Sequence, residues 1–465
     1  MMTNCTIRPP LRLMSLFVSM NIVFRCAAQE PPVRQPAAGP QSAPVIDLQG
    51  ALRRARAFSP QLKAATVNAA VAHENRLQAR AARLPTVNAV NQFVYTQGNG
   101  TPSGVFIAND GVHVYSEQAV VRENLFALAR TGQVRQAQAA EEVAKAQEAI
   151  ASRGLVFTVV RAYYNLVAAQ RERLNAGRSL DEARQFVEIT QKQEFAGEVS
   201  HVDVVKAELA FEQRSRDIEV AGLTEEEARL ALTVLLFADF DQSFTVVDDL
   251  STLPPLLPLN DLQSFGSPKS PEIQSAQASV KEARYALSVA RYAYLPSLAV
   301  TFYYGIDANQ FAARTSSPTP GVNRSNLPNF LVPQRQNLGF AGDITLDVPV
   351  WNWGATRSKV RQAEYRQTLA QQTLTFAERQ HRAALRSQYR QAEVAQREVA
   401  SLRRSLDYST ENDRLTTLRY EAGEASALEV VIAQDTLALA RKTYDAGLSH
   451  YRIALVDLQT LTGRL

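Results

Sequence analysis

The sequence predicts a mainly α-helical chain with a small transmembrane β component, built from two copies of one unit. Three observations carry this. Ser59-Pro60 opens a helical run that closes at Leu84-Pro85, and Ser270-Pro271 opens another that closes at Leu295-Pro296. After each closing proline the apolar period changes from that of a helix to that of a strand. Further on, Phe195-Ala196-Gly197-Glu198-Val199-Ser200 recurs as Glu421-Ala422-Gly423-Glu424-Ala425-Ser426. Internal duplication at this scale is an architectural signal before it is a chemical one.

The first 28 residues read as an export signal. Arg8 and Arg12 precede an apolar run from Leu13 to Phe24, and Cys26-Ala27-Ala28 supplies small residues before a cut at Gln29. The run is too short to span a bilayer as a helix. Arg25 stands where a lipid-modified cysteine would require a small residue, so lipidation of Cys26 is not expected. The leader holds Arg8, Arg12 and Arg25 and no acid. The remaining chain therefore carries 47 of the 50 basic residues against all 46 acidic ones. That balance, with no basic block interleaved with aromatics, excludes nucleic acid as a partner. Both cysteines lie in the leader, so disulfides and thiolate metal sites play no part beyond it.

Residues 29–46, rich in Pro, Gln and Ala, read as an extended linker. The first unit then covers 47–258. Asp47 N-caps a helix through Phe58, and Pro60 sits in the first turn of the next, where its missing N–H costs little. Strands follow at about 86–97 and 112–124, a long helix at about 125–194, and a return helix at about 200–237. The second unit covers 259–465. Its first long helix places Ile273, Ala276, Val280, Ala283, Leu287, Ala290 and Tyr294 on one stripe. Strands follow at about 297–308 and 337–350, a long helix at about 354–421, and a return helix at about 426–462.

The strands carry the membrane signal. Leu338, Phe340, Gly342, Ile344, Leu346, Val348 and Val350 alternate with Asn337, Gly339, Ala341, Asp343, Thr345 and Asp347. A barrel strand needs about 9–11 residues of this pattern to cross a bilayer. The first-unit strands alternate less cleanly. Gly, Asn, Ser, Thr and Pro dominate the joining segments 98–111 and 309–336, which suits the outer side of a barrel. The long helices lack proline, and each reaches about 100 Å at 1.5 Å per residue. Small residues such as Ala137, Ala139, Ala140, Ala144 and Ala146 let such helices approach closely. Four strands cannot close a barrel alone, and open edges are not tolerated in lipid, so an oligomer is expected.

Nothing in the chain demands catalysis. His73, His113, His201, His381 and His450 are scattered, and no Gly-x-Ser-x-Gly occurs. The run Gly98-Asn99-Gly100-Thr101-Pro102-Ser103-Gly104 joins two strands and has the wrong spacing for a phosphate loop. Neither a cofactor nor a metal is expected, and the chain reads as no enzyme.

In this order the motifs resemble those of the TolC family of outer-membrane efflux and secretion proteins. The likeness covers nearly all of 47–463. It rests on Leu84-Pro85, Leu295-Pro296, Val348-Pro349-Val350-Trp351-Asn352-Trp353-Gly354, and the glycine turns leading into Asp203-Val204-Val205 and Glu429-Val430-Val431. The resemblance implies a homotrimer whose long antiparallel helices form an α-barrel tunnel, with four strands per protomer in a shared twelve-stranded β-barrel. It implies an outer-membrane location reaching into the periplasm. It also implies a periplasmic adaptor (membrane fusion) protein and an inner-membrane pump of the RND, ABC or MFS type as partners, for efflux or type I secretion. The turns at Gly197, Glu198, Ser200, Gly423, Glu424 and Ser426 would dock the adaptor. Tyr420 would help hold the closed end, and Asp203 and Glu429 would belong to the gate or lumen. Ala425 and Ile432 depart from one member's gate arginine and second aspartate, so that gate is not carried over.

Each site has a plainer reading. Gly197 and Gly423 are suited to ordinary helix ends in any helical hairpin. Asp203 and Glu429 stabilise a first helical turn electrostatically. Trp351 and Trp353 fit either a core or an interfacial aromatic belt against outer-membrane lipid. The alternative to a channel is a non-conducting periplasmic coiled-coil scaffold or adaptor, which has no need of lipid-facing strands.

Overall fold

A computed structural model describes residues 44–95, 113–240, 242–266, 270–308 and 338–463. The expected export signal, most of the Pro-rich linker and the two polar joining segments lie outside these residues.

The chain enters through β1 (Val45–Ile46), α1 (Leu48–Phe58) and α2 (Pro60–Ala81). The Asp47 carboxylate accepts from the Gly50 N–H at 2.8 Å, and the Ser59 hydroxyl accepts from the Leu62 N–H at 3.2 Å, so both helices start on capped donors. The strands β2 (Thr86–Tyr95) and β3 (His113–Phe126) precede α3 (Leu128–Phe195) and α4 (His201–Leu236). After β4 (Thr245–Val246) and α5 (Leu259–Gly266) come α6 (Pro271–Tyr292), β5 (Ser297–Ala308), β6 (Leu338–Asp347), α7 (Ala355–Glu421) and α8 (Ala427–Thr462). The long helices α3 and α7 have 68 and 67 residues. Shorter helices flank each of them: α2, α4, α6 and α8 pack on α3, and α6 and α8 on α7. Gly132 lets α6 approach α3 closely, because a Cβ there would stand 2.7 Å from Val289 Cγ2.

Several element ends differ from the sequence expectation, α3 for example starting at Leu128 rather than 125, and three of the differences have a clear local reason. The linker does not run to residue 46. Val45 and Ile46 pair in parallel with Thr245 and Val246, and the buried Ile46 side chain anchors the pair in the core. The second strand runs to Phe126 rather than 124, because a bulge at Leu125 re-phases it and sets Phe126 opposite Leu298. The fourth strand stops at Asp347 rather than 350, since Pro349 has no N–H to offer a ladder. Trp353 and Gly354, both left-handed at φ 53° and 83°, then turn the chain into α7.

The sheet is antiparallel in the order β2-β3-β5-β6, and β2 and β6 are its edges. Residues opposite each other across a ladder share a face, so the register sorts the side chains. One face carries Val87, Ala89, Ala119, Val121, Val300, Phe302, Tyr304, Phe340, Ile344 and Leu346. The other carries Asn88, Gln92, Ser116, Gln118, Arg122, Thr301, Asp343 and Asp347. The weaker alternation of the first two strands has a specific cause: Asn91, Glu117 and Glu123 fall on the apolar face, and Val90 and Val120 on the polar one.

The main core lies midway along the helices. Tyr163, Tyr164, Val159, Val160, Leu166, Val167, Leu232, Leu236 and Tyr451 pack there with Phe237, Phe244 and Leu250 of the segment joining the two halves. That segment is strapped down by polar contacts. Tyr163 donates to the Val247 carbonyl at 2.8 Å, Tyr451 to the Pro254 carbonyl at 2.6 Å, and Arg171 forks onto Asp248 while also reaching Asp445 at 3.0 Å.

Between α2 and α3, the buried Glu141 carboxylate gathers Lys145 at 2.7 Å, His73 at 3.1 Å and Arg76 at 2.5 Å. The Lys145 contact first, then His73 and Arg76, hold its pKa down to about 2 against the opposing effect of burial. A depressed carboxylate stabilises the folded chain above its unfolded value of 4.5, and that stability is lost as pH falls toward 2. Protection of the α2 amides, measured relative to their intrinsic exchange rate at each pH, is therefore expected to fall through this window. Glu141→Gln should flatten the profile; identical profiles would show that the cluster does not hold α2.

Candidate functional site

The site is built from two turns, one between α3 and α4 and the other between α7 and α8. Gly197 and Gly423 sit at φ 79° and 77°, where only glycine is unstrained. The hydrogen bonds are the same in both copies. Glu198 N–H donates to the Gln193 carbonyl at 2.8 Å, and Glu424 N–H to the Arg419 carbonyl at 2.7 Å, which satisfies carbonyls left over at each helix end.

Beyond the glycines the copies diverge. At the second turn Ser426 and Glu429 form a full capping box: the Glu429 N–H donates to Ser426 Oγ at 3.3 Å, and the Ser426 N–H to Glu429 Oε1 at 3.2 Å. The Ser426 backbone bond first, then its hydroxyl and the Arg419 charge, lower the Glu429 pKa. Arg419 is itself tied to the Glu424 carbonyl at 3.1 Å and lies 3.9 Å from Glu429. At the first turn Asp203 is one methylene shorter. It accepts instead from the Ser200 hydroxyl at 3.0 Å and from Lys206 at 3.2 Å, and no side-chain cap reaches the backbone.

The two turns lie side by side. A recess of about 510 Å³ opens between them, lined by Glu198, Ser200, Asp203, Tyr420, Glu421, Gly423 and Ser426 among others. The structure thus brings together six of the residues singled out from sequence, while Gly197, Glu424 and Glu429 do not line the recess. Tyr420 is 2 % exposed and meets Phe186 edge-on, with ring centroids 5.1 Å apart. Behind the turns these two rings form a small apolar core with Ala207, Ala427 and Val430. Burial, and secondly the nearby Asp203 charge, push the Tyr420 phenol pKa up.

Trp351 and Trp353 belong to the opposite end of α7. They are 76 % and 90 % exposed and stack edge-on at 5.8 Å, which excludes the core reading within one protomer. Two residues escaped the sequence reading. Phe186 gave no signal, because its pairing with Tyr420 joins different helices. Phe195, 95 % exposed as the last residue of α3, was legible only as a difference between copies, standing where the other turn has Glu421.

Among the described residues no group of His, Cys, Asp and Glu is arranged to hold a metal ion, and no helix is long and apolar enough to cross a membrane. A sheet with one apolar face thus leads into long paired helices that end in two similar turns. The chain belongs to the outer membrane efflux protein family, whose sequence model matches residues 51–236 and 268–464. It is 25 % identical over 329 residues to outer membrane protein OprJ of Pseudomonas aeruginosa, covering 69 % of this chain and 62 % of that one. It is 21 % identical to outer membrane protein TolC of Vibrio cholerae, covering 89 % of each. The fold is that of the Campylobacter jejuni CmeC outer membrane channel, with a TM-score of 0.75 at 16 % identity over 90 % of this chain and 85 % of that one. The protein is an outer-membrane efflux channel component with helices extending into the periplasm, and its family is one of transport rather than catalysis.

Proposed function

We propose that three copies of this chain form the outer-membrane conduit of a tripartite export system. An inner-membrane pump supplies the energy, a periplasmic adaptor docks at the paired turns around Gly197 and Gly423, and substrate leaves passively through a water-filled tunnel. Trp351 and Trp353 sit at the lipid interface in this reading. The observation that carries it is the four-stranded sheet with one apolar face and two open edges. In hydrocarbon every unpaired backbone group costs several kcal/mol, so both edges must find partners. Three copies supply twelve strands, an even number within the range of closed outer-membrane barrels. Recovery of a trimer from the outer membrane, with discrete conductance in planar bilayers, is the expected result. Recovery only as a soluble periplasmic protein would sink the proposal.

Glu429 supports a ring of three carboxylates at the narrow end of the tunnel, in addition to its cap. Glu429→Gln separates the two roles, because glutamine still completes a capping box while removing the charge. The variant should assemble normally yet show weaker block by divalent cations. Unchanged block would leave Glu429 a capping residue alone.

A further inference from the structure

We propose that the rim joining the sheet to the long helices selects anionic phospholipids, whose phosphate groups meet a collar of exposed arginine and lysine side chains. The inference rests on the reading that Trp351 and Trp353 sit at the lipid interface, and it names the lipid they sit against.

The register puts all four strand–helix junctions at one end of the sheet, since Thr86 opposes Arg122, Asn124 opposes Ala299, and Ser297 opposes Asp347. There α2 leads into β2, β3 into α3, α6 into β5, and β6 into α7. The chain next to these junctions carries one sign of charge. Segments 76–85, 127–140, 284–296 and 348–363 hold three, two, two and three basic residues, ten in all, and no acid. The other end of the long helices is the reverse: 193–203 and 420–429 hold six acids and no lysine or arginine. The collar is therefore a local feature and not a generally basic surface.

Half of this charge has no partner in the protein. Arg76 is held by Glu141, Arg291 by Glu364 at 3.0 Å, and Arg130 by the Ala82 carbonyl. Arg80, Arg83, Arg357, Lys359 and Arg361 are exposed, and their side chains make no ion pair or hydrogen bond among the described residues. Glu123 and Asp347 stand at the strand ends, yet neither pairs with them there. Neither long helix has an acid in its first turn, where one would normally be stabilising. Like charges gathered without acids repel one another, a cost that an anionic membrane surface removes.

The second observation is the backbone at Trp353, the one non-glycine residue of positive φ among those described. A bulky residue in that region is strained, and strain is kept where it aims a side chain for use. Here it sets the exposed Trp351–Trp353 pair ahead of Arg357 and Arg361, which share a face of α7. Arg361 lies about 9 Å along that helix, and its long side chain can reach back into a headgroup zone about 5–8 Å deep. Guanidinium groups fork onto phosphate oxygens. Exposed Leu346, Val348 and Val350 continue the apolar sheet face into the collar, which favours a phosphate that carries acyl chains over a soluble anion.

Both tryptophans of the chain lie in this rim, so intrinsic fluorescence reads the site without a label. The full-length protein is reconstituted in phosphatidylcholine vesicles. Increasing fractions are then replaced by phosphatidylcholine or phosphatidylglycerol with brominated acyl chains, which quench indole on contact. At low salt, brominated phosphatidylglycerol should quench with an apparent affinity about threefold or more greater, and the preference should fall toward one at about 1 M salt. The combined variant Arg80→Gln, Arg83→Gln, Arg357→Gln, Lys359→Gln and Arg361→Gln should lose the preference at low salt. Its unfolding temperature should be unchanged, because none of these side chains has a partner in the protein. Equal quenching by the two lipids in the wild type overturns the proposal. So does a preference that survives high salt or the combined variant. Should that variant fail to reconstitute, the salt titration of the wild type decides. Quenching by neither lipid refutes instead the lipid-interface reading of the tryptophans.

Discussion

Leucine at both Gly197 and Gly423 is expected to abolish export while leaving the assembled protein in the outer membrane. Both glycines are left-handed, and no atom lies within 4 Å of where a Cβ would stand. Clash is therefore not the mechanism. Backbone strain is, at about 1–2 kcal/mol for each residue forced into that region. The strain falls on turns remote from the main core at Tyr163 and Leu232, so the bulk of the helices should stay folded. Asparagine is the control, since it tolerates the left-handed region and adds little bulk. Export retained with asparagine and lost with leucine identifies the turn surface as the docking element. Dye efflux at the wild-type rate in the double leucine variant would rule that surface out.

The second large effect belongs to Tyr163, which is 1 % exposed. Tyr163→Ala should cost about 3–5 kcal/mol through lost contacts and the cavity left behind. Tyr163→Phe should cost about 1–2 kcal/mol, because the Val247 carbonyl loses its donor. The difference has a spatial signature. The hydroxyl holds the joining segment at Val247, while the ring packs edge-on against Tyr164 at 5.5 Å. Hydrogen exchange should therefore show the phenylalanine variant loosening chiefly around 245–251, and the alanine variant loosening the middle of α3 and α8 as well. Matching stabilities for the two variants would show that the ring contributes nothing beyond its hydroxyl.

The parts legible in sequence were those that a single residue type decides. Proline closes α2 and α6, glycine marks both turns, and the change of period marks β5 and β6. The two-residue strands β1 and β4 were not legible. Neither has a period, and they exist because Ile46 finds a buried place two hundred residues along the chain. The faces of β2 and β3 were blurred by Asn91, Glu117 and Glu123, and only pairing with β5 resolves them. At the turns, sequence placed Ser200 with Asp203 and Ser426 with Glu429 in equivalent positions. It did not reveal that one methylene separates a complete capping box from a side-chain pair. The contact of Phe186 with Tyr420, like the recess they back, depends on which helices become neighbours.

The strap across the middle of the helices has a mechanical meaning. Arg171, Tyr163 and Tyr451 clamp the joining segment near the middle of α3, whereas beyond it the turns are tied by helix packing, by side-chain links such as Arg441 to Glu182 and Gln191 to Glu208, and by the small Phe186–Tyr420 core. From Tyr163 to Gly197 the helix α3 is a stiff arm of about 50 Å. Pivoted at the strap, a rotation of about 5° carries its end sideways by about 4 Å, close to the width of a water molecule with its contacts. A fulcrum so placed turns small adjustments in mid-helix packing into larger displacements at the far end.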